Sequence, residues 1–389
     1  GTIAVMNNTI VLGSSQPSPD PSPRIATLDI VRGIAILGTL WTNMWLFTNI
    51  DGLFGALNST TPQPLAERMI VALSQGKFLA LLSLIFGVGL ALQLGSAPRR
   101  NQRWPGAYIR RMLLLLLDGA INFLLIAEFD VLMGYAITGL IVSYLVLTRP
   151  RTQRIVIITL GTIHVVLLSL IAWAAEFYSG DTGDIPTSAH VNTPYAHGSF
   201  LDLVMFRLNN AVLFRSESIL IAALTIAMFL LGVRLHEAGV FNPEATSLRK
   251  KLLLIGAVAL PIDLAFGIAG TTGLVLLERY VVAPFTAMGL LALIIETCQH
   301  LGTTNLAGRL LQNVGRTALS CYLLQNLLGG ILFYGWGFGL VNHVQSWRIP
   351  ATMLGYIVIA AAVVMFANLW LRRFSTGPVE WLWKKMAQL

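Results

Sequence analysis

The chain has 389 residues, 55% of them hydrophobic and 11% charged, with a net charge of +8 and a mean hydropathy of +0.71. These values lie well outside the range of soluble domains and point to an integral membrane protein. The positive charge is assigned to membrane topology, with membrane lipids as expected partners. No basic stripe with interleaved aromatics is present, so no nucleic-acid partner is expected.

Residues 1–24 contain the run Ser14-Ser15-Gln16-Pro17-Ser18-Pro19, which cannot bury a core and is expected to be a disordered cytoplasmic tail. About ten apolar windows near the roughly 20 residues that cross a bilayer as helix then follow. They run from Ala26 to Leu46, Lys77 to Leu94, Arg110 to Ile126, Val131 to Leu147, Ile155 to Phe177, Ile219 to Leu235, Leu252 to Ile268, Arg279 to Ile295, Thr317 to Gly337 and Ala351 to Leu371. The expected fold is an all-α polytopic membrane protein. Residues 25–178 and 218–389 form two five-helix halves, and 179–217 form an external loop. Leu65 to Ser74 is expected to extend the second span as an interfacial helix. Within the loop, Phe200 to Phe214 reads as an interfacial helix or as a lid over an external site.

Of the 26 basic residues, only Arg68, Lys77, Arg207, Arg215, Arg279 and Arg348 fall on the external side of this arrangement, with Arg32 inside the first span. By the positive-inside rule both termini are expected to be cytoplasmic.

Polar residues inside the spans are the candidates for function, because ionisable groups are costly there. Asp29 and Arg32, one turn apart in the first span, either neutralise each other as a structural pair or mark a site. Lys77 opens the second span. In the third, Asp118 and Asn122 share a face, with Arg111 two turns earlier. Asp130 and Tyr135 open the fourth beyond a short turn at Glu128, which places Asn122 and Asp130 at one depth. These groups either bind a sugar or amine or hold the hairpin together.

His164, in the fifth span, is the general-base candidate from chemistry alone, or else a hydrogen-bonded packing residue. In the ninth span Ser320, Tyr322 and Gln325 either join helices or line a hydrophilic tunnel. Glu278 and Arg279 are adjacent, point apart and require separate partners. Cys298 and Cys321 read as small buried residues, and the six scattered histidines show no metal-ligand spacing, so no metal is expected.

Several of these residues fall into ordered motifs. They are Leu28-Asp29-x-x-Arg32-Gly33-x-Ala35-Ile36-Leu37-Gly38 with Asn43 downstream, Gly76-Lys77-Phe78 with Leu84-Ile85-Phe86-Gly87-x-Gly89, and Asp130-Val131-Leu132-x-x-Tyr135-Ala136. Gly315-Arg316-x-Ala318-Leu319-Ser320-x-Tyr322-Leu323-Leu324-Gln325 and Gly377-Pro378-x-Glu380-Trp381 complete the set. The chain resembles the YeiB-like bacterial membrane proteins along nearly its whole length after the tail. Through the first-span Asp and Arg it is also similar to the wider transmembrane acyltransferase superfamily.

The resemblance implies a bundle of ten or eleven helices in which acyl-CoA approaches from the cytoplasm. Its acyl group would be delivered across the membrane to a hydroxyl or amine of an envelope sugar or glycolipid. Arg32, Arg110, Arg111 and Arg316 would hold the coenzyme A phosphates. Two departures matter: Asn43 and Asn122 stand where relatives carry histidines, and an asparagine cannot take a catalytic proton. His164 or Asp130 would then replace the missing base. The alternative function is a transporter or lipid-handling protein on the same scaffold, and homo-oligomerisation is left open.

Overall fold

Backbone polar groups in a bilayer must be satisfied within the segment or by a closed sheet, and every regular element among the described residues is helical. The computed structural model describes residues 23–58, 63–179 and 192–386. The expected disordered tail lies outside them except for its last two positions, as does the loop stretch 180–191 with His190.

The helices are α1 (Pro23–Phe47), α2 (Gly52–Asn58), α3 (Leu65–Ala72), α4 (Lys77–Ser96), α5 (Gly106–Leu125), α6 (Leu132–Leu145), α7 (Pro150–Ser179), α8 (Phe200–Asn209) and α9 (Ala211–Leu220). They continue as α10 (Ala222–Glu237), α11 (Thr246–Ala269), α12 (Thr272–Leu277), α13 (Ala283–Leu301), α14 (Leu306–Arg316), α15 (Ala318–Phe333), α16 (Val341–Val344), α17 (Arg348–Trp370) and α18 (Pro378–Met386). A π-helical turn, Glu278–Val282, joins α12 to α13.

A helix occupies each of the ten expected span positions. By length and hydropathy alone, six stretches qualify to cross a membrane, and a seventh if the bent pair α9 and α10 counts as one. The others are α5, α6 and α15. Leu113, Leu117, Ile121 and Leu125 form an exposed stripe along α5, and Ile137 and Ile141 do so on α6. A face of that kind suits lipid rather than water.

Leu65 to Ser96 forms one apolar stretch long enough to cross a membrane, so the segment from Leu65 continues the second span, with a break between α3 and α4 at Gly76, whose φ of 73° is left-handed. A side chain at Gly76 would also meet the Arg279 carbonyl at 2.3 Å. Phe200 to Phe214 is two helices that part at Asn210, where φ is −111° and the side-chain amide donates to the Phe206 carbonyl at 2.9 Å beside the backbone amide at 3.1 Å. The first of these, α8, opens on a capping box in which Asp202 accepts from the Ser199 hydroxyl and amide, both at 2.7 Å. Those bonds hold the Asp202 carboxyl below its usual range.

Helix α1 is the centre of the bundle: its most apolar window is 67% buried, against 17% for α7. It packs on α4, α13, α14, α15 and α17. Its contact with α14 is backbone on backbone, since a Cβ on Gly33 would lie 2.2 Å from the Leu311 carbonyl and one on Gly315 would lie 1.8 Å from that of Asp29. Gly87 and Gly232 serve the crossing of α4 and α10 in the same way. Small residues at helix crossings are how membrane bundles gain dispersion contact.

Helix α17 runs antiparallel to α1. Thr352, near its start, contacts Thr48 at the end of α1 at 2.7 Å. Asn368, near its end, accepts from Asn313 of α14 at 2.7 Å. Both described ends of the chain therefore lie on one side of the bundle, the terminal side, and Thr48 and Arg348 lie on the far side.

Candidate functional site

Two cavities penetrate the bundle from opposite sides, and α1 contributes to both. Arg32 and Ile36 line the terminal cavity, and one to three turns further on Thr39, Thr42, Asn43 and Trp45 line the far one.

The terminal cavity has a volume of about 560 Å³ and is lined by Arg32, Arg100, Arg110, Arg111, Arg316 and Lys384, with Glu380 as the one carboxylate. Its arginines are positioned by specific contacts. Arg32 pairs with the buried Asp29 at 2.9 Å and passes Gly89, where a Cβ would sit 3.5 Å from its Nη2. Arg111 donates to Gln93 at 2.5 Å, and Arg316 donates to the Ser375 carbonyl at 3.2 Å. Such an excess of positive charge over a concave surface attracts anions.

Helix α18 closes the rim of this cavity. Its Glu380 accepts from the amides of Leu319 and Ser320 at 2.9 and 3.1 Å and from the Ser320 hydroxyl. It thus caps the amino end of α15, where a carboxylate is favoured by the helix dipole. Trp383 donates to Asp118 of α5. Glu380→Gln is expected to weaken this seat by about 1 kcal/mol. Trypsin cleavage after Lys384 and Lys385 should then accelerate several-fold, read by mass spectrometry of the released peptide. An unchanged rate would show that the cap does not hold α18.

The far cavity, about 450 Å³, is lined by Glu67, Glu217, Glu278, Arg68, Arg279 and Arg348 together with Thr42, Asn43 and Ser74. Its charges are largely paired. Arg348 binds both oxygens of Glu67 at 2.8 and 2.9 Å, and Arg279 binds Glu217 at 2.7 Å.

Val131 and Tyr322 line both cavities. Tyr322 is 2% exposed, and its hydroxyl lies between the Val131 backbone and the Asn326 side chain. On the far side of it Asn43 donates to Asn326 at 3.4 Å. The hairpin between α5 and α6 brings together the two residues expected at one depth: Asn122 donates to Asp130 at 2.8 Å. The Met133 amide (3.1 Å) and Arg215 (3.9 Å) complete the surroundings of Asp130.

Arg32, Arg111, Tyr135, Arg316 and Tyr322 of the expected site residues line the terminal cavity, and Asn43 lines the far one. Asp29 lies behind Arg32. Asn122, Asp130 and Gln325 are buried between helices, with Gln325 donating to Thr39 at 3.4 Å. Asp118 and Ser320 hold α18 in place. Lys77 pairs with Asp263.

The structure does not bring His164 to either cavity. It is 1% exposed, and its Nε2 lies 2.8 Å from the Tyr280 carbonyl, the position of a packing residue seated on the π-helical turn. Glu67 and Arg348 line the far cavity without any spacing that could have announced them, and Glu278, read beside Arg279 as needing a separate partner, lines it too. Glu380 stands in the closing motif quoted above, which left its capping partner unstated. Among the described residues no group of three or more His, Cys, Asp or Glu side chains is placed to hold a metal ion.

Among the described residues the fold is that of a multi-pass all-helical membrane protein with two cavities that share Val131 and Tyr322. A family described as a protein of unknown function, DUF418, matches residues 235–389. YeiB of Escherichia coli (strain K12) is 30% identical over 392 residues, covering 93% of this chain and 96% of its own. YxaH of Bacillus subtilis (strain 168) is 26% identical over 403 residues, 97% of each chain. A 39.9 kDa protein from the amylase 3' region of Bacillus acidopullulyticus is 26% identical over 377 residues, 93% of each. The chain belongs to the YeiB-like family.

Proposed function

We propose that the protein moves an acyl group from acyl-CoA in the terminal cavity to a hydroxyl or amine of an envelope sugar or glycolipid in the far cavity. On this reading the terminal side is cytoplasmic, in agreement with the positive-inside distribution, and the membrane is the bacterial inner membrane. The observation that carries it is the Tyr322 side chain, shared by a cation-lined cavity on one side and a charge-balanced polar cavity on the other.

Arg32, Arg110, Arg111 and Arg316 hold the phosphates, and the thioester reaches Tyr322. The acceptor oxygen or nitrogen bonds the acyl carbon and the C–S bond breaks. The coenzyme A thiolate leaves on the cationic side, and the acceptor's proton passes to water of the far cavity. The Tyr322 hydroxyl donates to the oxyanion that develops on the acyl carbonyl.

Loss of one such donor costs roughly a hundredfold or more in rate, so Tyr322→Phe is expected to retain acyl-CoA binding and to lose transfer by about that factor. The hydroxyl has only the Val131 backbone and the Asn326 side chain beside it, so its removal should lower the melting temperature by no more than the loss of one hydrogen bond, about 1 kcal/mol, accounts for. The measurement is transfer of radiolabelled acetyl from acetyl-CoA to envelope material in membrane vesicles, beside calorimetric binding of acetyl-CoA and desulfo-CoA to the purified protein. Absence of acyl-CoA binding by the folded protein would reject the reading. The transporter or lipid-handling alternative, favoured by the 46° break between α9 and α10 and the π-helical turn beside the far cavity, would then take its place.

A further inference from the structure

Lys77, Asp263 and Glu278 meet beside the far cavity, contributed by α4, α11 and the π-helical turn, with side chains 4%, 0% and 1% exposed. Lys77 Nζ donates to the Ala72 carbonyl at 2.5 Å, pairs with Asp263 and stands 4.0 Å from Glu278 Oε1. The other charged and titratable groups around this point are engaged elsewhere. Arg279, next to Glu278 on the turn, binds Glu217 of α9 at 2.7 Å and Gln75 at 3.3 Å. Arg68 of α3 donates to the carbonyls of Ile268 and Ala269. His164 of α7 reaches the turn at the Tyr280 carbonyl.

One ammonium therefore faces two carboxyl groups. Fully ionised, the trio carries a net negative charge among buried side chains, a state that burial penalises heavily. A single proton restores neutrality. Asp263 is the contact partner of the ammonium, whereas Glu278 Oε1 stands 4.0 Å from it. Glu278 is also the member of the trio that lines the cavity. The room it occupies is left by Gly267, where a Cβ would fall 2.4 Å from that same oxygen. The π-helical turn delivers Glu278 to this point, and such turns inside α-helices are frequent at functional sites.

We propose that Lys77, Asp263 and Glu278 form a one-proton site in which Glu278 exchanges its proton with the water of the far cavity. A cation entering beside Glu278 displaces the proton, and an anion retains it. Charged ligands of opposite sign should therefore respond to pH in opposite directions. The site stands independently of acyl transfer and would serve a transporter equally.

Infrared difference spectroscopy of the full-length protein in detergent tests it. The wild type should show a protonated-carboxyl C=O band that Glu278→Gln removes and that shifts in heavy water. Charge counting predicts that Asp263→Asn removes the same band, because Lys77 then balances an ionised Glu278. Lys77→Met should add a second band, because two carboxyl groups then lack a cation. Glu278→Gln is nearly isosteric and carries the test alone if the other variants fail to fold. A band that survives Glu278→Gln, no difference between that variant and the wild type, or a band unmoved by heavy water overturns the proposal.

Discussion

Substituting glutamine for Arg32 is expected to weaken acetyl-CoA binding by roughly tenfold to a hundredfold, the worth of one hydrogen bond to a charged group at about 1.5–3 kcal/mol. Arg32 should show the larger effect among the cavity's cations because it is already oriented. Its guanidinium is held at 2.9 Å by Asp29 and lies over Gly89, so little side-chain freedom remains to be lost on binding.

The single variant carries a second consequence. Asp29 is 6% exposed, and without Arg32 it becomes a buried carboxylate deprived of its ion-pair partner, a destabilising state. The double variant Asp29→Asn with Arg32→Gln separates the two effects. It should recover the melting temperature lost by the single variant while still binding acetyl-CoA weakly. In the wild type, binding should also weaken as salt is raised, since screening acts on a cavity open to solvent. Undiminished calorimetric affinity in both variants would mean that the cations of the terminal cavity hold no phosphates, leaving their placement to the positive-inside rule.

The helices were legible because a bilayer imposes one length and one composition on each span, and windows such as Leu252 to Ile268 admit no other reading. What is set by a tight hairpin was legible too. Asn122 and Asp130 are eight residues apart across a short turn, and their hydrogen bond follows from that distance. Contacts between remote spans leave no such trace. Asn43 of α1 meets Asn326 of α15 across 283 positions, and Lys77 of α4 meets Asp263 of α11, pairings that only the packing of the bundle creates.

His164 shows the same limit from the other direction. Its chemistry suits a base, but which way an imidazole faces depends on the neighbour of α7, and that neighbour is the carbonyl of Tyr280 rather than a cavity. The break at Asn210 and the fold-back of α18 escaped for a different reason. Both are short segments near the membrane surface, where water satisfies the backbone and the apolar pattern no longer dictates length.

Alanine at Gly315 should be the most damaging small substitution in the bundle. Overpacking a well-fitted interior typically costs about 1–3 kcal/mol. Here the added Cβ meets backbone 1.8 Å away at the Asp29 carbonyl, so no side-chain rotation relieves it and α1 and α14 must part. The expected result is a lower apparent melting temperature in detergent. Acetyl-CoA affinity should fall with it, because Asp29 positions Arg32 and Gly315 precedes Arg316, so the crossing that fails carries two of the cations of the terminal cavity. Gly95, at the end of α4, is the matched control: a Cβ there meets nothing within 4 Å. Alanine at Gly95 should leave binding intact and hold or raise stability by up to about 1 kcal/mol through helix propensity. Equal melting of the two variants would show that the α1 and α14 backbones are not in contact. A lower melting temperature for Gly315→Ala with unchanged affinity would show instead that the cationic cavity does not depend on that contact.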